Sequence, residues 1–328
     1  MSPRIVVVGF NPAIDRVLEI SGFRAGGVHK AVCRLEQPAG KAANVARVLG
    51  LLGHACTLAG FVGQDEESRY VHSFSGLPVA VRLVCVKGST RTNTTIVDPG
   101  SGADTHIREA GFAVSAGEWA VLCGNLLENC GPDVWFVFSG SLAPGIDPAA
   151  AVALVRDIAG RGGRIAVDAS GPFLRELRHF PVDLLKVNRE EYGELVGRDI
   201  APEQPMMPMI YDDFAAGRLA ARRLFVTDGA HGGGICEAGS GWWALSPQVK
   251  VLSTVGAGDA SLAGVLGAVQ DGVLLPEHVC HGLAAGAAAV EELAAGVVDP
   301  SRVAGLLGQV VPQVWQNGRE CGKSADFL

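Results

Sequence analysis

The sequence predicts an α/β fold with a doubly wound, mostly parallel sheet flanked by helices. Short apolar runs of strand type alternate with runs whose apolar residues recur at helical spacing. Gly- and Asn-rich motifs follow the predicted strands, at the edge where such sheets bind ligands. We expect a single domain over residues 1–328, and the sequence shows no internal repeat.

The predicted elements alternate along most of the chain. The predicted strands are 5–8, 56–61, 135–139, 164–168, 184–188 and 224–227, and the predicted helices are 42–52, 148–160, 190–196, 258–271 and 277–293. Two segments of weak polar–apolar alternation, 12–38 and 80–109, interrupt this order and are expected to form a separate small β-sheet that acts as a lid. Residues 199–217 fit no element.

Composition and charge exclude several functional classes. The chain is 48% hydrophobic with a formal net charge of −7, so we expect no nucleic-acid partner. Its eight Cys form no C-x-x-C pair and no zinc-type spacing with His, which predicts reduced cysteines. The most apolar stretch, 282–290, has charged flanks and fits a buried helix better than a membrane span. We therefore expect a cytoplasmic protein with no membrane partner.

Residues 251–261, with the sequence VLSTVGAGDAS, are the most informative segment. A β-type run over 249–255 is expected to end in a turn of small residues, followed by the helix. Helix starts present free N–H groups and partial positive charge, and glycines let an anion approach them. Asp259 falls in the first turn, and a base beside an anion site suits phosphoryl transfer to a hydroxyl. A plain Gly-rich turn with an Asp cap has the same composition. The candidate anion hole consists of Gly256, Ala257 and Gly258.

Five further motifs place polar groups at predicted strand ends, at helix starts or in the lid. They are NPAID at 11–15, PAGKAANVA at 38–46, TRTN at 90–93, SGSLAPG at 139–145 and KVNREE at 186–191. Their amides and hydroxyls suit a polyol, and Arg91 suits a phosphate. Asn188 and Glu191 suit Mg²⁺ held through waters. Taken singly, ordinary turns, helix caps and exposed strand residues explain the motifs as well.

In their order along the chain, over about residues 4–310, these motifs resemble the PfkB branch of the ribokinase-like sugar kinases. The segment THIREAG at 105–111 is similar to that of the 1-phosphofructokinase and tagatose-6-phosphate kinase group. The resemblance implies a ribokinase-like fold and ATP-dependent phosphorylation of a ketohexose phosphate, with fructose 1-phosphate as the first choice. Tagatose 6-phosphate or fructose 6-phosphate remains an alternative substrate. A catalytically weak sugar-phosphate-binding protein on the same fold is an alternative of another class.

The resemblance also implies roles for individual residues. Asp259 would be the catalytic base, and Gly256, Ala257 and Gly258 would form the anion hole. The sugar phosphate would be bound by Asp15, Gly40, Lys41, Asn44, Arg91 and Ser139. ATP and Mg²⁺ would be bound by Lys186, Asn188, Glu191, Thr227 and Gly229, with Asn188 and Glu191 reaching the metal through water. Pairing of two lids in the family implies a homodimer.

The chain departs from the family pattern near both expected ligands. Ala42 replaces a Gly and adds a methyl group near the sugar, and Arg108 replaces an Asn and adds positive charge. Asp228 in the nucleotide loop, with Glu291 and Glu292 near the expected adenine position, adds carboxylates. Carboxylates beside ATP weaken its binding unless they face away from it.

Overall fold

The computed structural model describes residues 3–316 and 318–323, and these residues form two β-sheets. The strands are β1 (Arg4–Gly9), β2 (Ala13–Glu19), β3 (Val32–Ala39), β4 (Cys56–Gly63), β5 (Val79–Val86), β6 (Arg91–Asp98), β7 (Ala103–Arg108), β8 (Val134–Gly140), β9 (Arg164–Ala169), β10 (Leu184–Asn188), β11 (Arg223–Thr227), β12 (Gly233–Glu237), β13 (Ser240–Ala244), β14 (Gln313–Gln316) and β15 (Arg319–Lys323). The helices are α1 (Lys41–Leu51), α2 (Glu67–Ser73), α3 (Ala116–Glu128), α4 (Pro148–Gly160), α5 (Gly171–Leu177), α6 (Arg189–Val196), α7 (Met206–Ala215), α8 (Ala257–Asp271), α9 (Leu275–Ala289) and α10 (Pro300–Leu307).

The large sheet has a parallel centre and an antiparallel edge. Its strand order is β15-β14-β13-β12-β11-β10-β9-β8-β1-β4-β5, and the pairs from β11 through β5 are all parallel. Trp135 and Val137 of β8 pack in one apolar layer with α1, α8 and α9, whereas Phe136 and Phe138 pack in the other with α3 and α4. Burial on both faces explains why the central strands are continuously apolar. The predicted doubly wound α/β fold is confirmed.

The lid prediction is wrong for part of its second segment. The small sheet has the strand order β3-β2-β6-β7, so it takes in the predicted segment 12–38 and the later part of 80–109. The earlier part contains β5, which pairs in parallel with β4 at the edge of the large sheet. Strand β5 alternates only weakly between polar and apolar residues, because it is an edge strand with one exposed face. Strands of the small sheet have the same pattern, so the sequence pattern does not distinguish the two sheets.

The predicted strand at 249–255 is also wrong. Strand β13 ends at Ala244, and the chain then crosses the carboxyl end of α9, where the N–H groups of Leu252 and Ser253 donate to the Val290 carbonyl. The segment therefore has no neighbouring strand with which to pair. Residues 199–217, left unassigned, contain α7, whose residues Met206 and Ile210 are buried. None of the helices in the described ranges has the length and hydropathy of a membrane span.

Helices α8 and α9 pack closely because small residues face each other. A Cβ placed on Gly264 of α8 would lie 2.3 Å from the carbonyl oxygen of His281 and 3.0 Å from the Cβ of Ala285 in α9. The first distance is a clash with backbone, which side-chain rotation cannot relieve. Glycine at 264 therefore fixes the spacing of the helix that carries Asp259.

We predict that Gly264→Ala destabilises the protein by about 2 kcal/mol or more, because the added methyl overpacks this contact. The measurement is the midpoint of chemical denaturation. The control is Gly124→Ala in α3, where nothing lies within 4 Å of the added Cβ. That change should be neutral or stabilise by about 0.5–1 kcal/mol, as expected for alanine in a helix interior. Equal effects of the two variants would contradict the close packing.

Candidate active site

The amino end of α8 has the geometry of an anion site. Gly256 is its N-cap residue, with φ +84°, a conformation that favours glycine. The N–H groups of Gly258 and Asp259 lie in the first turn, where no helical carbonyl precedes them. The Lys186 ammonium is close enough that a Cβ on Gly258 would lie 2.7 Å from its Nζ. Free N–H groups and a cation thus meet at the predicted anion hole, whose role stays a prediction.

Asp259 is buried in the first turn of the same helix. Its Oδ2 accepts a hydrogen bond of 2.8 Å from the Nδ2 of Asn44 in α1. Burial and the neighbouring Asp168 carboxylate raise the pKa of Asp259 to about 6, against the opposing effects of Lys41, Asn44 and Lys186. A carboxylate with a pKa nearer neutrality is a stronger proton acceptor than an ordinary aspartate. The environment therefore suits Asp259 for the role of base.

The sequence prediction missed Asp168, a completely buried carboxylate at the end of β9. Its two oxygens accept from two lysines, Lys41 at 3.0 Å and Lys186 at 3.3 Å. Burial disfavours its charge, but the two ammonium groups outweigh burial and lower its pKa. A carboxylate that ends an apolar parallel strand, at the ligand edge of the sheet, is the signal that could have identified it.

Lys41 links the buried carboxylate to α6. Besides Asp168, its Nζ contacts the Oε1 of Glu191 at 3.4 Å. Burial opposes the charge of Lys41, but the carboxylates of Asp168, Glu191 and Asp259 raise its pKa above the ordinary value. Lys41 is therefore a permanent cation beside the base.

Glu191 and Asn188 form a reciprocal cap at the start of α6. The Oδ1 of Asn188 accepts from the Glu191 N–H at 2.8 Å, and the Oε2 of Glu191 accepts from the Asn188 N–H at 2.9 Å. Each side-chain oxygen keeps a lone pair that can accept from a metal-bound water. Within the described residues, no group of three or more His, Cys, Asp and Glu side chains could hold a metal directly. These oxygens fit Mg²⁺ held through water, and the metal role stays a prediction.

The small sheet supplies a second polar region. Asp15 of β2 accepts a 3.0 Å hydrogen bond from the Nδ2 of Asn93 in β6, and Arg91 donates to the carbonyls of Asn11 and Pro12. Burial raises the pKa of Asp15, although Asn93 and nearby arginines oppose the shift. Asn93 belongs to the TRTN motif at 90–93, from which no role was predicted for it. Its contact with Asp15 places it in the candidate site.

Several buried polar atoms near these residues have no hydrogen-bond partner among the described residues. They are the Oδ1 atoms of Asn44 and Asn93 and the Oγ of Ser139. Ser139 is the register neighbour of Asp168, and it lines a small recess together with Gly40 and Lys41. Because an unpaired buried polar atom is costly, this region is arranged to receive a polar ligand.

A cavity of about 380 Å³ is lined by Ala257, Gly258 and Ser261 of α8. Its other polar lining includes Lys186, Asn188, Thr227 and Gly229, which are all the predicted nucleotide-binding residues except Glu191. Its apolar lining includes Val249, Val251, Leu283, Ala287 and Val290. The apolar residues at 249 and 251, which suggested a strand, form part of this wall. A cavity lined by both a cation and apolar side chains fits a nucleotide.

Two of the three carboxylates that were expected to weaken nucleotide binding form ion pairs with arginines. Arg189 binds Asp228 with both a 2.7 Å and a 2.6 Å hydrogen bond, and Arg302 forms an ion pair with Glu291. Such bidentate pairs hold a carboxylate in a fixed direction. The negative charge at positions 228 and 291 therefore does not argue against an anionic ligand in the cavity.

The predicted residues thus fall into three groups. Direct contacts join Asn44 to Asp259, and Lys41 to Glu191, which caps α6 with Asn188. The cavity residues border the α8 start. Asp15 and Arg91 lie on the small sheet, where Asp15 accepts from Asn93 and Arg91 donates to the carbonyls of Asn11 and Pro12.

Comparison with known proteins agrees with the fold. A sequence profile of the pfkB family of carbohydrate kinases matches residues 2–302. The chain is 30% identical over 308 residues to a 1-phosphofructokinase from Rhodobacter capsulatus, covering 93% of this chain and 96% of that protein. It is 31% identical over 314 residues to a 1-phosphofructokinase from Escherichia coli strain K12, covering 94% and 98%. A crystal structure of Escherichia coli phosphofructokinase-2 in complex with fructose-6-phosphate superimposes with a TM-score of 0.84 at 25% identity, covering 94% of this chain and 99% of that one.

Fold, site and relatives together define a phosphotransferase that has an alcohol group as acceptor. The chain belongs to the pfkB family of carbohydrate kinases, which use ATP. The predicted resemblance and the predicted enzyme class are therefore confirmed.

We predict that Asp168→Asn lowers the free energy of unfolding by about 3–5 kcal/mol, because it leaves the buried Lys186 ammonium without its carboxylate and removes the shorter ion pair of Lys41. The control is Asp183→Asn, next to the same sheet. Asp183 pairs with the exposed Arg164 and Arg222 at 3.6 Å, and an Asn there can still accept the 2.9 Å hydrogen bond from the Ile165 N–H. That change should cost about 1 kcal/mol or less. The measurement is the denaturation midpoint of both variants. If Asp168→Asn lost no more stability than Asp183→Asn, the two lysines would not need the Asp168 carboxylate for the stability of the fold.

Proposed function

We propose that this protein phosphorylates a ketohexose phosphate with ATP, converting fructose 1-phosphate to fructose 1,6-bisphosphate. The observation that carries the proposal is the placement of Asp259. This buried carboxylate, with its raised pKa, directly follows Gly258, which lines a nucleotide-sized cavity. A base next to an anion site that a phosphate donor can reach is the arrangement that phosphoryl transfer needs.

In this mechanism Asp259 takes the proton from the acceptor hydroxyl, and the hydroxyl oxygen forms a bond to the transferred phosphorus while the bond to the leaving phosphate oxygen breaks. Asn44 holds the Asp259 carboxylate in place through its 2.8 Å hydrogen bond. The N–H groups at Gly256, Ala257 and Gly258 stabilise the charge on the transferred group, since they are fixed before the reaction. Lys186 adds a positive charge beside Gly258.

The cavity would hold ATP, which supplies the phosphoryl group. The cavity lining includes Lys186, Asn188, Thr227 and Gly229. Mg²⁺, when bound, would neutralise phosphate charge, and Asn188 and Glu191 would accept hydrogen bonds from its waters. The oxygen-rich cap at the start of α6 supports this assignment.

The sugar phosphate would bind between the small sheet and α1. Asp15, Asn44 and Ser139 would contact its hydroxyls, Gly40 and Lys41 would line its pocket, and Arg91 would contact its phosphate. The unpaired buried oxygens at Asn44 and Ser139 support a polyhydroxylated ligand. The 1-phosphofructokinase relatives favour fructose 1-phosphate. The likeness to phosphofructokinase-2 in complex with fructose-6-phosphate keeps a 6-phosphate sugar, fructose or tagatose, as the second candidate.

We further propose that the protein is a cytoplasmic homodimer that pairs through the small sheet. Val28, Val32 and Ile107 on and beside that sheet are more than half exposed, at 103%, 52% and 51%. Exposed apolar side chains on a small sheet are typical of an interface.

The test is a coupled assay of ADP release from ATP, with fructose 1-phosphate, fructose 6-phosphate, tagatose 6-phosphate and unphosphorylated sugars as acceptors. We expect turnover to be fastest with fructose 1-phosphate. Asp259→Asn should reduce kcat by about 1,000-fold or more through loss of the base, while sugar-phosphate binding by calorimetry is retained. No ADP release with any acceptor would favour a sugar-phosphate-binding protein. Equal turnover of the variant would remove Asp259 from its role.

The pH dependence should report the Asp259 base. Its conjugate acid is inactive, so kcat/KM should fall as the pH drops through about 6, approaching tenfold per pH unit below it. Circular dichroism over the same range separates this loss from acid unfolding. A rate that stays constant down to about pH 5 would show that no group with a raised pKa acts as the base.

A further inference from the structure

Polar side chains form a row across the small sheet. The strand register places them side by side in the order Gln37, Asp15, Asn93 and Arg108. Residues directly opposite one another in neighbouring strands point to the same face of a sheet. Arg91 precedes Asn93 by two residues on β6 and shares that face. The register alone therefore brings two arginines and one carboxylate to one side of the sheet.

This face lies toward the start of α8. At one end of the row, the Nε2 of Gln37 donates to the Ala295 carbonyl at 2.9 Å. Ala295 in turn packs against the α8 N-cap, because a Cβ on Gly256 would lie 3.0 Å from the Ala295 Cβ. The row therefore begins beside the candidate anion hole and ends at Arg108, on the outer strand β7.

Positive charge exceeds negative charge around Asp15. Arg91, Arg108 and the buried Arg47 all act on its carboxylate. The other two carboxylates on this face, Glu19 and Asp104, lie at the far end of the sheet, where Glu19 pairs with Arg34. Burial and the repulsion from Arg108 lower the pKa of Arg91. In the described ranges, neither Arg91 nor Arg108 has a carboxylate as an ion-pair partner. Two neighbouring guanidinium groups that repel each other are stabilised by a shared anion, and a phosphate has oxygens for both forks.

The backbone holds Arg108 at this position. The next residue, Glu109, accepts a 2.9 Å hydrogen bond from the Thr92 N–H through its side chain and donates its own N–H to the Thr92 carbonyl at 3.3 Å. These two contacts extend the β6–β7 pairing past Arg108. Its side chain is exposed, so a ligand can reach it.

We propose that Arg108 is a specificity-determining residue that binds the phosphate carried by the sugar, jointly with Arg91. The inference rests on the proposed function, since it assigns the residue that makes the enzyme select a sugar phosphate over a free sugar as acceptor. Arg91 is anchored to the carbonyls of Asn11 and Pro12 and gives a fixed charge. Arg108 adds a second charge whose distance from Asp259 selects where on the sugar the phosphate lies.

The test compares Arg108→Gln with Arg34→Gln. Arg34 is a matched control, because it is an exposed arginine on β3 of the same sheet, where it forms an ion pair with Glu19. We expect Arg108→Gln to lower kcat/KM for fructose 1-phosphate by about 10- to 100-fold, the size of a lost charge-assisted hydrogen bond. The loss should lie in the KM for the sugar phosphate, with the KM for ATP unchanged. Arg108→Lys should lose less, since it keeps the charge without the fork.

Binding measurements keep this inference separate from the proposed function. Calorimetry with fructose 1-phosphate and with fructose, in the absence of ATP, should show weaker binding of the phosphate ester alone in Arg108→Gln. If the wild type binds the ester but does not turn over, the proposed function fails and the role of Arg108 is still measured. Equal losses for ester and free sugar, a loss matched by Arg34→Gln, or no loss at all would each overturn the inference.

Discussion

The arrangement of the site depends on one buried carboxylate held between two lysines. Asp168 ends β9, Lys41 begins α1 and Lys186 lies in β10, so the two ion pairs join three elements at the ligand edge of the sheet. An isolated buried charge would be strongly unfavourable, and two bound ammonium groups make the Asp168 carboxylate tolerable. The same carboxylate repels a negative charge on Asp259 and so helps to raise its pKa. One residue thus positions two cations and raises the pKa of the proposed base, Asp259.

Local patterns in the sequence predicted the parallel core well and its edges poorly. Strand β10 and helix α4 were predicted with their observed bounds, because a run buried on both faces or a helix with a Pro at its start has a strong local signal. Strand β5 and the run at 249–255 were misplaced for the opposite reason. Which sheet an edge strand joins, and whether an apolar run meets a strand or a cavity, depends on distant parts of the chain.

The candidate site shows the same division. Residues within a motif, such as Asn188 and Glu191, could be predicted because three residues of helix connect them. Asp168 stands in no such motif, and its importance comes from lysines that lie 127 and 18 residues away along the chain. The carboxylates at 228 and 291 look unfavourable for ATP binding in the sequence for a related reason. Their ion-pair partners, Arg189 and Arg302, can be identified only from the fold, which brings each pair together.

The start of α8 brings together two groups that favour opposite charge states. Free N–H groups and Lys186 at the cavity would stabilise an anion, whereas burial and Asp168 make Asp259 hold a proton more readily than an exposed aspartate does. Proton acceptance by Asp259 relieves its repulsion from Asp168, while phosphate charge develops next to the N–H groups. Because both changes are favoured at the same moment of the proposed reaction, these interactions are stronger in the transition state than in the ground state. Close packing of Gly264 against α9 matters for this reason, since a shift of the α8 start would disturb both groups at once.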